Sequence, residues 1–113
     1  MNEFKQLDIE LLTGYQANLS PAILAQMAAL YREQSLNYLE RINQALDAEQ
    51  QQWQQCCHKM KGAAGSVGFV EVHALLVSME KTMTKWDEKS AAITQLQHLN
   101  ELALQELQQW LAS

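Results

Sequence analysis

His58 is followed three, four and seven residues later by Lys61, Gly62 and Gly65. On a helix advancing roughly 100° per residue, all three lie within about 60° of His58. Trp53, Cys56, Met60, Ala63, Ala64 and Val67 gather on another broad face, which reads as the core face. His58 points nearly opposite and should meet solvent. An imidazole, an ammonium and two bare stretches of backbone therefore share one exposed surface. A neutral imidazole nitrogen is a good nucleophile near neutral pH. An ammonium one turn on can neutralise phosphoryl oxygens. Glycine inside a helix costs about 1 kcal/mol relative to alanine, so two of them need a reason: close approach of a partner's backbone, or tight packing of neighbouring helices, against which the wheel places both away from the core. Lys59 lies to one side and adds to the local field. Four of the eight cationic residues, Lys59, Lys61, Lys81 and Lys85, fall within this helix and the next. They make a local basic patch suited to docking an acidic partner pocket. A solvated surface histidine is the commoner reading of any single His, and it holds for His73 and His98, which lack such company. A metal reading of Cys56, Cys57 and His58 fails, because consecutive helical residues cannot converge on one ion.

These residues need long helices to position them. Asp8 can cap a short first helix, with Leu7 and Leu12 as a hydrophobic staple. Ser20-Pro21 is a cap followed by proline at the first helical position. The helix it opens is expected to run to about Asp47, with Met27, Leu30, Tyr31, Tyr38, Ile42, Ala45 and Leu46 as its apolar stripe. A third helix is expected from near Ala48 to near Gly68. A fourth runs from about Phe69 to Trp86 on the stripe Val72, Leu76, Met79, Met83 and Trp86. Asp87 can cap the last helix, whose stripe is Ile93, Leu96, Leu99, Ala103, Leu107 and Trp110. The Gln-rich run 50–55 reads as a solvated helix face. Short connections between amphipathic helices imply an all-α antiparallel four-helix bundle with a short additional N-terminal helix. The reading is of one domain over 1–113, with the core bundle at about 21–112. Residues ten to twelve beyond Gly68 return to the level of His58, which makes Glu80 the candidate to accept a hydrogen bond from it.

Composition narrows the function. The chain has 113 residues, 48% of them hydrophobic, with four Gly, one Pro and a net charge of −5. That balance argues against a nucleic-acid partner. The two cysteines are adjacent, so no disulfide framework is expected and a reducing compartment fits. No signal peptide and no membrane-spanning run is evident, so the expectation is a cytoplasmic segment. One bundle can bury its own stripes, so a monomer is expected. No phosphate-cradling glycine loop appears, so autonomous ATP-dependent kinase activity is not expected. A non-catalytic helical adaptor would explain the core stripes equally well, but not the exposed His-Lys-Gly-Gly face.

The stretch His58-Lys59-Met60-Lys61-Gly62-Ala63-Ala64-Gly65-Ser66-Val67-Gly68 closely resembles the signature of histidine-containing phosphotransfer (HPt) domains. With the opening Leu7-Asp8-Ile9, it looks like the C-terminal HPt domains of tripartite hybrid sensor kinases, of the anoxic redox-control and trimethylamine N-oxide sensor type. The resemblance implies a phosphorelay function. His58 would take a phosphoryl group on Nε2 from a receiver-domain aspartate and pass it to a response-regulator aspartate. Lys61 would meet the phosphoryl group, and Gly62 would leave room for the receiver. At the position of Glu80 some members carry a glutamine that hydrogen-bonds the active histidine. The receiver would supply the acidic pocket and its Mg²⁺, so this chain would need no cofactor or metal of its own.

Overall fold

A computed structural model describes residues 4–113. The single-domain reading also takes in residues 1–3, which lie outside the described residues. Five α-helices follow in order: α1 (Ile9–Asn18), α2 (Pro21–Gln44), α3 (Gln50–Ser66), α4 (Val70–Thr82) and α5 (Trp86–Ala112). A 3₁₀ turn, Ala45–Asp47, closes α2. The fold is all-α. Helices α2 to α5 pack each against the next and α5 against α2, which closes a four-helix bundle.

The starts of α1 and α2 follow their capping chemistry. Asp8 Oδ1 accepts from Leu11 N at 3.0 Å, and the staple residues Leu7 and Leu12 are both buried. Ser20 Oγ accepts from Ile23 N at 3.2 Å, with Pro21 opening α2. The end of α3 is a Schellman motif. Phe69 N bonds Ala64 O at 2.9 Å, Gly68 N bonds Gly65 O at 3.2 Å, and Gly68 takes φ of 76°. This turn is clamped from outside, as Asp8 N bonds Gly68 O at 2.7 Å and Val70 N bonds Gln6 O at 3.1 Å. The reversal drops Phe69 into the core, edge-on to Tyr31 with ring centroids 4.8 Å apart. Burying such a ring contributes roughly 1.5–3 kcal/mol. Between α2 and α5, Tyr31 Oη donates to Asn100 Oδ1 at 2.7 Å and Asn100 Nδ2 donates to Ser35 Oγ at 3.1 Å. Burial, with a smaller contribution from Tyr38, pushes the Tyr31 hydroxyl well above its usual range.

Several sequence expectations need correction. Helix α4 stops at Thr82, because Thr82 Oγ1 bonds back to Ser78 O and Met83 turns extended. Trp86 is therefore not on the α4 stripe: it opens α5, about half exposed, with Nε1 on Asp47 Oδ1 at 3.0 Å. The cap position of α5 is Lys85 rather than Asp87, and Glu88 Oε1 accepts from Lys85 N. On α2, Leu30 is exposed, and Leu24 and Ser35 are buried instead. On α3 the core face centres on Cys57, which is fully buried, while Cys56 is half-buried. Burial pushes the Cys57 thiol up to about 12. With the core centred there, His58 lies on the flank of α3 rather than opposite the core.

Gly68 and Gly62 should respond oppositely to alanine. A Cβ at Gly68 would stand 3.3 Å from Asp8 Cβ in a left-handed backbone, whereas nothing lies within 4 Å at Gly62. Urea unfolding should show Gly68→Ala destabilised by about 1–2 kcal/mol or more and Gly62→Ala stabilised by about 0.5–1 kcal/mol.

Candidate functional site

Helix α3 carries His58 near its midpoint, and the α3–α4 reversal returns α4 alongside it. His58 Nδ1 lies 3.0 Å from Glu80 Oε1, and Lys61 Nζ donates to Glu80 Oε2 at 2.7 Å. One carboxylate thus holds both residues. The His58 side chain remains 65% exposed, while Glu80 and Lys61 are only 20% and 21% exposed. The imidazole therefore stands out in solvent on a partly covered acidic and basic base.

The ion pair with Lys61 comes first in holding the Glu80 carboxyl below its usual range; burial opposes it, and the His58 hydrogen bond assists. An ionised carboxylate can only accept, so Nδ1 of neutral His58 carries the proton. Nε2 then keeps its lone pair. The arrangement presents an oriented, exposed nitrogen nucleophile with an ammonium one turn away.

The other sequence-predicted residues do not all gather here. A Cβ at Gly65 would lie 3.3 Å from His73 Cδ2, so Gly65 serves the close approach of α3 to α4. The wheel could not show this, because it does not place His73 across the hairpin. Of the two glycines on this face, it is Gly62 that faces open space. Lys59 is exposed and lines the groove toward α2 with Arg41, Gln44 and Cys56. Lys81 is exposed in the last turn of α4, and Lys85 sits beyond it in the link to α5. Lys59 also borders the cavity beside His58, and the charge of Lys61 is already met by Glu80. His98 is exposed on α5, and His73 is half-buried against Gly65.

Beside His58 a shallow cavity of about 300 Å³ is lined by Gln51, Gln54, Gln55, His58, Lys59 and Glu80. The Gln-rich run is more than a solvated face. Gln54 Nε2 donates to Glu80 O at 3.2 Å and Gln50 Nε2 donates to Met83 O at 2.9 Å. These were missed, although the spacing of Gln50, Gln54 and His58 by four residues already places them on one strip. No described helix is long and apolar enough to cross a membrane.

The family model described as "Hpt domain" matches residues 26–110. Among solved structures, the histidine-containing phosphotransfer domain of ArcB from Escherichia coli is similar, with a TM-score of 0.83 and 24% identity. The alignment covers 95% of this chain and 93% of that one, and at this identity it speaks for the fold. No curated protein matches the sequence.

The sign of the Glu80 effect on stability follows from its lowered pKa. The contribution is complete above the ordinary value of 4.5 and is lost as pH falls through the lowered folded value. Urea unfolding should find wild type more stable than Glu80→Gln at neutral pH. The difference should shrink as pH is lowered below 4.5 and the carboxyl becomes protonated.

Proposed function

This chain belongs to the Hpt domain family and is a histidine phosphotransfer module of a phosphorelay; from that premise we propose that His58 is the residue that carries the phosphoryl group. The observation that supports this most is an imidazole 65% open to solvent whose Nδ1 is held by Glu80, which leaves Nε2 as the free nitrogen. The Nε2 lone pair attacks the phosphorus of a receiver's aspartyl phosphate. The P–O bond to the aspartyl oxygen breaks, and its electron pair leaves on the aspartate carboxylate. No proton has to move. His58 keeps the hydrogen on Nδ1 and becomes cationic, with the Glu80 carboxylate facing the new charge. Reversal of the same step delivers the group to a second receiver.

Lys61 stabilises the phosphoryl oxygens by turning from Glu80 toward Nε2, a short swing for a flexible ammonium. Gly62 gives the receiver backbone room over the site. Lys59, Lys81 and Lys85 act at longer range, steering the acidic receiver pocket toward the exposed imidazole. The receiver brings Mg²⁺, which offsets phosphoryl charge on its own side. The module is a carrier and not an ATP-dependent kinase. It acts as a monomer in the cytoplasm, where free Cys56 and Cys57 stay reduced. The HPt-like run at His58 and the Leu7-Asp8-Ile9 opening support a place at the end of a hybrid sensor kinase.

Incubation with a phosphorylated receiver and Mg²⁺ should label the wild type with phosphate that is lost in acid and retained in alkali. His58→Gln should take no label. Lys61→Ala should still be labelled, but at least about tenfold more slowly, in keeping with the loss of one charge-stabilising group. Equal labelling of His58→Gln would overturn the assignment.

A further inference from the structure

Helix α4 ends at Thr82, so Glu80 is in its last turn, where backbone carbonyls lack intrahelical donors. A frayed last turn would not hold a carboxylate on His58. Side chains of α3 supply the missing donors. Trp53 Nε1 donates to Met79 O at 3.0 Å, Gln54 Nε2 to Glu80 O at 3.2 Å, and Gln50 Nε2 to Met83 O at 2.9 Å. Behind them stands Lys89 of α5, only 4% exposed. Its Nζ donates to Gln50 Oε1 at 2.6 Å and lies 4.9 Å from the centroid of the Trp53 ring. A buried cation among these partners also complements the negative end of α4.

We propose that Gln54, together with Trp53, Gln50 and Lys89, forms a positioning device for the phosphotransfer site. These residues cap the end of α4 from the neighbouring helices and so fix the turn that holds Glu80 against Nδ1 of His58. Gln50, Gln54 and His58 lie on one strip of α3, so the row that presents the imidazole also grips the backbone of its orienting residue. Glu80 is held twice, by its carbonyl through Gln54 and by its carboxylate through His58 and Lys61. A slip of one residue along α4 would turn Glu80 by roughly 100° and shift it about 1.5 Å, enough to lose the contact. Lys89 and its partners touch neither the imidazole nor the incoming phosphoryl group; they act through Glu80.

The kinetic part of this inference rests on His58 being the phosphoryl acceptor, and the spectroscopic part does not. The experiment takes the full chain with ¹⁵N-labelled histidine and reads the ring nitrogen shifts of His58, which report whether Nδ1 or Nε2 carries the proton. Glu80→Ala gives the reference for a released ring. Gln54→Leu and Trp53→Phe should move the ring signals toward that reference. They should also slow transfer from a phosphorylated receiver by roughly threefold to thirtyfold, the coupling of side chains that act through a second group. Gln52→Leu, exposed on the same helix, should match wild type in both. If Trp53→Phe does not fold, the exposed Gln54→Leu decides alone. Wild-type ring signals in Gln54→Leu, with Glu80→Ala shifted, would overturn the proposal. Shifted ring signals in a chain whose wild type accepts no phosphate would support the positioning device and refute the phosphotransfer role of His58.

Discussion

As the proposed carrier, His58 has to be exposed to be reached and oriented to react, and the register of α3 against α4 reconciles the two demands. An imidazole 65% open to solvent cannot be held by packing. Its orientation comes from a carboxylate on another helix, so any slip between the helices removes it. Both ends of the hairpin are therefore fixed. At the reversal, Gly68 adopts the left-handed conformation, Phe69 inserts beside Tyr31, and the N-terminal segment clamps the turn through Asp8 and Gln6. Toward the other end, Trp53 reaches across to Met79. Gly65, with His73 in contact distance of its missing side chain, lets the helices come close between these points.

Electrostatics within this frame serve orientation more than stability. Partly exposed ion pairs typically contribute about 0–1 kcal/mol, so the Lys61–Glu80 pair is a weak account of why the bundle folds. Its consequence for the site is larger. Lys61 keeps Glu80 ionised, and an ionised Glu80 forces the proton of His58 onto Nδ1. A glutamate here adds negative charge close to an arriving phosphoryl group, and Lys61 neutralises it. The ammonium thus acts on the carboxylate, and in the proposed transfer it also stands near the phosphoryl oxygens.

The helices and the reactive face were legible because helical periodicity and capping are local. Asp8, Ser20-Pro21 and the α5 stripe behaved as their spacing implied, and a wheel placed His58 and Gly62 in the open, while Lys61 proved largely covered against Glu80. Glu80 was legible because counting residues from a glycine turn fixes height along the partner helix. What escaped depends on the other helix. Gly65 looked like a bare patch until His73 was placed across from it. Gln50 and Gln54 looked solvated until the early end of α4 gave them carbonyls to bond. That end was itself misplaced, because the hydrophobic stripe continued through Met83 to Trp86 while Thr82 and the extended Met83 broke the helix. Lys89 would not be expected in a core from its type, and only its partners Gln50 and Trp53 make its burial intelligible.

The two longer helices carry a different load. Helices α2 and α5 contain 24 and 27 residues against 17 and 13 for α3 and α4. Their register is set by the buried Tyr31–Asn100–Ser35 hydrogen bonds, in which each polar group finds a partner, so that burial specifies one alignment. Neither helix places a side chain on the imidazole. They hold the shorter hairpin, and the hairpin holds the site. This separation suits a carrier whose reaction pocket arrives with its partner. An enclosed pocket here would bar a receiver, whereas a rigid hairpin with a bare helical surface at Gly62 leaves the proposed acceptor nitrogen open to one.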